Sequence, residues 1–159
     1  RDKDAVVASM LICEMAAYYK TKNMNLVDVM ESLYEEFGFY ANVVESYTFE
    51  GASGMEKMAS IMDGLRTSAP SKIAGYDVVS VSDYEASKTV FANGRADEKI
   101  ELPKSNVLAY GLTDGNKLIV RPSGTEPKIK AYITAVGKSR EEADSIAAKL
   151  IDAANEFMK

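Results

Sequence analysis

The sequence predicts an α+β fold: an antiparallel sheet with helices packed on one face, preceded by two helices. Three observations carry this. From position 43 onward, apolar and β-branched runs are mostly joined by short turns, as antiparallel neighbours allow. One helical pattern follows the first of these runs and another closes the chain, which puts helices on one side of a sheet. Residues 1–38, by contrast, carry helical periodicity alone.

Residues 4–20 read as a helix, with Val6, Val7, Met10, Leu11, Met15 and Tyr18 at helical spacing. Asp2 and Asp4 fall at its start. Acids there complement the helix dipole, a simpler reading than a cation site. Cys13 lies within the apolar pattern and reads as a buried structural thiol. Asn25 N-caps a second helix whose apolar face carries Leu26, Val29, Met30, Leu33 and Phe37, and Gly38 ends it.

Val43–Phe49 is the first strand. Gly51 to Gly54 turns into a helix with Met55, Met58, Met62 and Leu65 inward, and Ala69-Pro70-Ser71 stops it. Tyr76–Val81 is a second strand. The charged segment 85–101 offers only a turn at Asn93-Gly94. Val107–Leu112 and Lys117–Val120 flank Asp114-Gly115, which suits a tight type I′ hairpin. Ile129–Val136 is the last strand. Ser139, with Glu142 three residues on, opens a final helix as a capping box, and Ile146, Leu150, Ile151, Ala154 and Phe157 form its inward face.

Composition narrows the function. At 159 residues, 47% hydrophobic and 27% charged, the chain has the make-up of a globular protein. It can bury roughly 70% of its unfolded surface. A net charge of −5 argues against a nucleic-acid partner. No run reaches the roughly eighteen uncharged apolar residues of a membrane span, and no signal peptide is visible. One cysteine excludes an internal disulfide and fits a cytoplasmic origin. With no histidine, Ser-His-Asp and Cys-His catalysis are excluded, as is histidine metal ligation. The chain opens with Arg1 at a helix start, which reads as a piece of a longer protein.

The stretch Val120-Arg121-Pro122-Ser123-Gly124-Thr125-Glu126-Pro127-Lys128 is the most informative. A strand runs into Arg121, then a Ser-Gly-Thr turn, then Pro127. Gly124 can adopt φ > 0 and let successive amides point into one concavity. Ser123 and Thr125 supply hydroxyls, and Arg121 a planar fork that matches two phosphate oxygens. Lys128 and Lys130 add positive charge, with Lys128 expected to face solvent. Glu126 has no phosphate role and is expected to face away or pair with Lys128 or Lys130. These residue types fit a phosphate cradle and also an ordinary polar hairpin loop. They are neither a Walker loop nor a dinucleotide fingerprint.

The segment Val120–Ile133, VRPSGTEPKIKAYI, resembles the phosphate-binding loop of the α-D-phosphohexomutases, in their phosphoglucomutase branch. Arg1-Asp2-Lys3-Asp4-Ala5-Val6 resembles the helix start after that family's sugar-recognition loop. Leu102-Pro103-Lys104-Ser105-Asn106-Val107-Leu108 resembles the strand entry upstream of the phosphate loop. The resemblance implies a TATA-binding-protein-like C-terminal domain over 39–159 and, over 1–38, the helical tail of the preceding αβα domain. Arg121, Ser123, Gly124 and Thr125 match the family's phosphate-binding positions, and Lys130 a basic position after the loop.

The implied activity is intramolecular phosphoryl transfer between glucose 1-phosphate and glucose 6-phosphate, through a phosphoserine and a bisphosphorylated sugar. The family's Ser-His-Asn-Pro and Asp-Gly-Asp-x-Asp-Arg motifs are absent here, and its Gly-Glu-Glu-Ser-Gly loop would lie upstream of Arg1. No catalytic group and no metal ligand is therefore expected in this chain. Mg2+ and glucose 1,6-bisphosphate are implied only for the full-length parent. The expected partners are a phosphosugar, upstream domains of the same polypeptide, and a second copy through the apolar helices of 1–38. A non-catalytic phosphosugar-binding module and a phosphomannomutase or phosphopentomutase parent remain alternatives.

Overall fold

The computed structural model describes residues 3–51 and 53–159. Arg1, Asp2 and Ala52, and the expectations that fall on them, lie outside the described residues. The chain divides after Phe39 into two compact units.

The first unit holds α1 (Ala5–Lys20) and α2 (Leu26–Phe37). Asp4 sits one residue before α1, not in its first turn. It is the N-cap, its carboxylate accepting the Val7 N–H at 3.0 Å. No residue of α1 is buried, and Cys13 is exposed. This corrects the reading of Cys13 as a buried thiol. Val6, Val7, Met10, Leu11, Ile12 and Met15 circle the helix, all exposed. A helix apolar on every side needs cover on several sides, and within its unit only α2 lies beside it. In α2, Asn25 Oδ1 accepts from the Val27 and Asp28 amides, and the Asp28 carboxylate accepts from the Asn25 N–H, a complete capping box. Gly38, at φ 97°, ends the helix as expected. Of the expected inward face, Val29 is buried, whereas Met30, Leu33 and Phe37 are exposed.

The second unit is one sheet with two helices. Its strands are β1 (Phe39–Thr48), β2 (Lys72–Ile73), β3 (Tyr76–Asp83), β4 (Lys88–Phe91), β5 (Glu98–Lys99), β6 (Leu108–Leu112), β7 (Lys117–Pro122) and β8 (Lys128–Gly137). The helices are α3 (Gly54–Thr67) and α4 (Arg140–Phe157). The order is β1-β8-β7-β6-β3-β4-β5, with β2 beside β3. The pairings of β2 through β8 are antiparallel.

Strand alternation builds the core. Leu118 and Val120 of β7, and Ile129, Ala131, Ile133 and Ala135 of β8, are buried. They join Met58, Met62 and Leu65 of α3 with Ile146, Ala147, Leu150 and Ala154 of α4 in one cluster. The intervening strand residues lie on the opposite face by the period of two. Met55, expected inward, is exposed in the first turn of α3. Ile151 and Phe157 are only partly buried against the core.

Local chemistry fixes the connections. Asp114 (φ 61°) and Gly115 (φ 79°) both take the left-handed conformation that a type I′ turn demands. The Asn116 N–H closes this two-residue turn on the Thr113 carbonyl at 3.4 Å, and the Leu112 N–H meets the Asn116 carbonyl at 2.9 Å, so Thr113 is the extra residue beside it. Asn116 is fully buried. Its Nδ2 donates to the Thr113 carbonyl and its Oδ1 accepts from the Val136 N–H. Ser139 caps α4 by accepting the Glu142 N–H. The Glu142 carboxylate accepts from the Lys138 N–H, one residue before the cap. In the charged segment, β4 and β5 flank the Asn93-Gly94 turn. Arg66 of α3 reaches Asp83 (2.9 Å), Glu85 (2.8 Å) and the Asn106 Oδ1 (2.8 Å), tying the helix to the sheet.

Candidate anion-binding site

In the β7–β8 pair, Arg121 lies directly opposite Lys130. Their strand neighbours Val120 and Ala131 are fully buried on the helix-covered face, so Arg121 and Lys130 stand on the open one. Two residues either way along β8, on the same face, come Lys128 and Tyr132. These four side chains and residues 122–126 line a cavity of about 320 Å³. The structure thus brings together Arg121, Ser123, Gly124, Thr125 and Lys130, all five residues singled out in the sequence.

The loop braces itself. The Ser123 N–H donates to the Lys128 carbonyl, and the Lys128 N–H to the Glu126 carbonyl, both at 2.7 Å. The Thr125 and Glu126 amides donate to Ser123 Oγ at 3.3 and 3.2 Å. Ser123 therefore spends its acceptor capacity inside the loop and keeps its O–H as a donor. Gly124 is not among the residues with positive φ, and a Cβ there would meet nothing within 4 Å. The expectation that Gly124 turns left-handed is thus not met, because the Ser123 hydroxyl supports the reversal instead.

Behind the loop, the Phe49 N–H donates to the Pro127 carbonyl at 2.8 Å. Gly54, the first residue of α3, packs so closely that a Cβ would lie 2.2 Å from the Phe49 carbonyl oxygen and 3.1 Å from Pro127 Cβ. A second crevice, of about 390 Å³, is lined by Met55, Met58, Met62, Ser105 and Asn106 and shares Arg121, Pro122, Ser123 and Gly124 with the first.

Cationic charge dominates the first cavity. Arg121, Lys128 and Lys130 face a single carboxylate, Glu126. Glu126 pairs with Lys128 at 3.0 Å, as one of its expected roles had it. Lys128 itself is only 29% exposed. The expectation that it faces solvent is corrected: β8 already starts at Lys128, and alternation turns its side chain to the face of Lys130. Among the described residues, Arg121 and Lys130 form no ion pair. Directly opposed like charges weaken a sheet, so this pair favours an anionic ligand. Tyr132 and Lys128 escaped the sequence reading as site residues, although counting two residues either way from Lys130 would have found both.

Residues 69–153 match the family model described as phosphoglucomutase/phosphomannomutase, C-terminal domain. The chain belongs to this family. It is 37% identical over 134 residues to the phosphoglucomutase of Staphylococcus haemolyticus, covering 84% of this chain and 24% of that protein. It is 35% identical over 153 residues to the phosphoglucomutase of Staphylococcus epidermidis, covering 96% of this chain and 27% of that one. The chain thus spans about a quarter of the length of these relatives. In fold it is similar to the open form of the exocytosis-sensitive phosphoprotein pp63/parafusin, a phosphoglucomutase from Paramecium. The TM-score is 0.54 with 17% identity, over 88% of this chain and 24% of that one. The antiparallel sheet with helices on one face is accordingly the fold of a phosphohexomutase C-terminal domain. Among the described residues, no cluster of three or more histidine, cysteine or acidic side chains converges to hold a metal ion. No helix among them is long and apolar enough to cross a membrane.

Proposed function

We propose that this chain is the phosphate-holding part of a phosphoglucomutase. It grips the non-reacting phosphate of glucose 1-phosphate, of glucose 6-phosphate and of the bisphosphate intermediate, while residues outside it transfer the other phosphate. The observation that carries this reading is the Arg121–Lys130 pair, opposed across β7–β8 and facing one cavity with the Ser123–Thr125 loop.

Arg121 offers its fork to two oxygens, Lys130 a point charge, and Ser123 and Thr125 hydroxyl donors. Each charge-assisted hydrogen bond contributes about 1.5–3 kcal/mol. Realised far from the reacting phosphate, that energy orients the reactive end and favours closure around the sugar. None of these donors reads the sugar position to which the phosphate is attached, which suits an intermediate that binds in two opposite orientations. Magnesium, in the whole enzyme, would neutralise the reacting phosphate on residues outside this chain. Residues 1–38 are then the tail of the domain that precedes the phosphate-holding one, and a phosphosugar substrate fits a cytoplasmic protein.

Titrating the chain with inorganic phosphate, and then with glucose 1,6-bisphosphate, tests this reading by NMR. Amide shifts should centre on Ser123, Gly124 and Thr125, with a Kd near the millimolar range, about −4 kcal/mol. Mutase turnover by the chain alone should stay at the level of a buffer control. Shifts that leave this loop silent, or turnover by pure chain, would overturn the reading.

A further inference from the structure

We infer that Glu126 is a resident counter-ion of the clamp: its carboxylate competes with ligand oxygens for Lys128 and so sets how tightly an anion is held. The inference rests on the phosphate-holding reading above and adds the residue that limits affinity.

The loop pins the Glu126 backbone on both sides. Its N–H donates to Ser123 Oγ at 3.2 Å, and its carbonyl accepts the Lys128 N–H at 2.7 Å. The side chain turns back along the same hairpin, and one carboxylate oxygen lies 3.0 Å from Lys128 Nζ. The two partners differ in freedom. Lys128 is 29% exposed against the cavity wall, whereas Glu126 is 61% exposed. The lysine is the fixed half of the pair and the glutamate the half that can leave.

The three cations of the cavity are therefore unequal. Arg121 and Lys130 pair with no carboxylate among the described residues, whereas Lys128 already has one. An entering phosphate meets two cations at once and gains the third only by displacing Glu126. With Glu126 in place, three positive charges against one negative leave the cavity formally at +2. That balance matches a phosphate monoester, which carries about −1.5 to −2 at neutral pH. A moderated grip also serves a site that must release its phosphate and take up the other end of the same intermediate.

Inorganic phosphate, titrated calorimetrically into the 159-residue chain at low salt, tests the inference. Glu126→Gln should tighten binding about fivefold, the scale of one partly exposed charge contact. Glu126→Ala should do the same, which guards against the Gln carbonyl standing in for the carboxylate. Lys128→Met should weaken binding less than about twofold in the parent chain and about fivefold beside Glu126→Gln, because only there is Lys128 free for the ligand. Unchanged or weaker binding by both Glu126 variants, or an equal Lys128→Met loss in the two backgrounds, would overturn it. A chain that takes up no phosphate in any of these forms would instead bring down the clamp itself, and this inference with it.

Discussion

Arg121 and Lys130 are direct cross-strand partners, two cations set where a strand pair ordinarily gains from opposite charges. Removing one should relieve the fold and injure the site together. Arg121→Ala should raise stability by about 0.2–1 kcal/mol while abolishing detectable phosphate binding by the chain. In a full-length enzyme carrying this chain, the same change should lower kcat/KM about a hundredfold in both directions, from a lost contact of roughly 3 kcal/mol. Arg121→Lys should recover part of it, because an ammonium lacks the paired geometry. Lys128→Ala should do much less, its charge being already balanced by Glu126. Urea melts and steady-state kinetics in both directions check this.

Gly54→Ala should damage the loop from behind. The added methyl would press on the Phe49 carbonyl oxygen and on Pro127, both of which support the site. Backbone atoms have little room to give, so the loss should be about 1–3 kcal/mol. Phosphate-dependent shifts should weaken with it. Gly124→Ala, with open space around its Cβ, should leave stability within about 0.5 kcal/mol of the parent. Denaturation midpoints of the two variants make the comparison.

Tyr110 should produce an alkaline instability. It is fully buried, and its hydroxyl donates to the Leu65 carbonyl at 3.1 Å. Burial chiefly, with the Asp83 carboxylate assisting against Arg66, pushes its pKa up to about 12 from 10.0. The folded state therefore holds this proton where the unfolded chain has lost it. The stabilisation is complete below pH 10 and falls away as pH rises through about 12. Tyr110→Phe should be less stable at pH 8, since it leaves the Leu65 carbonyl without this donor, and should show a flatter decline above pH 10. Urea midpoints from pH 8 to 11.5 would show the two curves converging.

The first unit should be the reactive and sticky part of the chain. Met10, Leu11, Met15 and Phe37 are all exposed, and Cys13 lies among the first three. An apolar surface of this kind invites association. Sedimentation should show a concentration-dependent dimer. Cys13 should react with a maleimide quickly in dilute solution and more slowly as the dimer forms. Uniformly slow labelling of a monomer would contradict this.

The sheet and its helices were legible because alternation and caps are local properties. Leu118, Val120, Ile129 and Ile133 announce a buried face by spacing alone, and Asn25 and Ser139 mark helix starts through their own hydrogen bonds. The conformation of Gly124 is not legible, because the Ser123 hydroxyl can do what a left-handed residue would otherwise do, and a sequence does not show which device a loop uses. The exposure of Cys13 is illegible for a different reason. Apolar spacing shows what seeks burial, not whether the covering partner lies within the same unit. Lys128 is readable in principle, because a strand that begins at Lys128 and not at Ile129 puts it on the face of Lys130.

The interleaving of core and clamp along β7 and β8 makes this protein sensitive to parity. Val120 and Arg121 are neighbours in sequence yet serve opposite faces, as are Lys130 and Ala131. A point change at an even position of β7 touches packing, and one at an odd position touches the open face. The loss or gain of a single residue within β7 has no such choice, for it would push Arg121 inward and a core residue out. Length variation among descendants of this sequence should therefore spare β7, β8 and the clamp loop between them, and collect in connections that carry none of the site, such as 92–97 between β4 and β5.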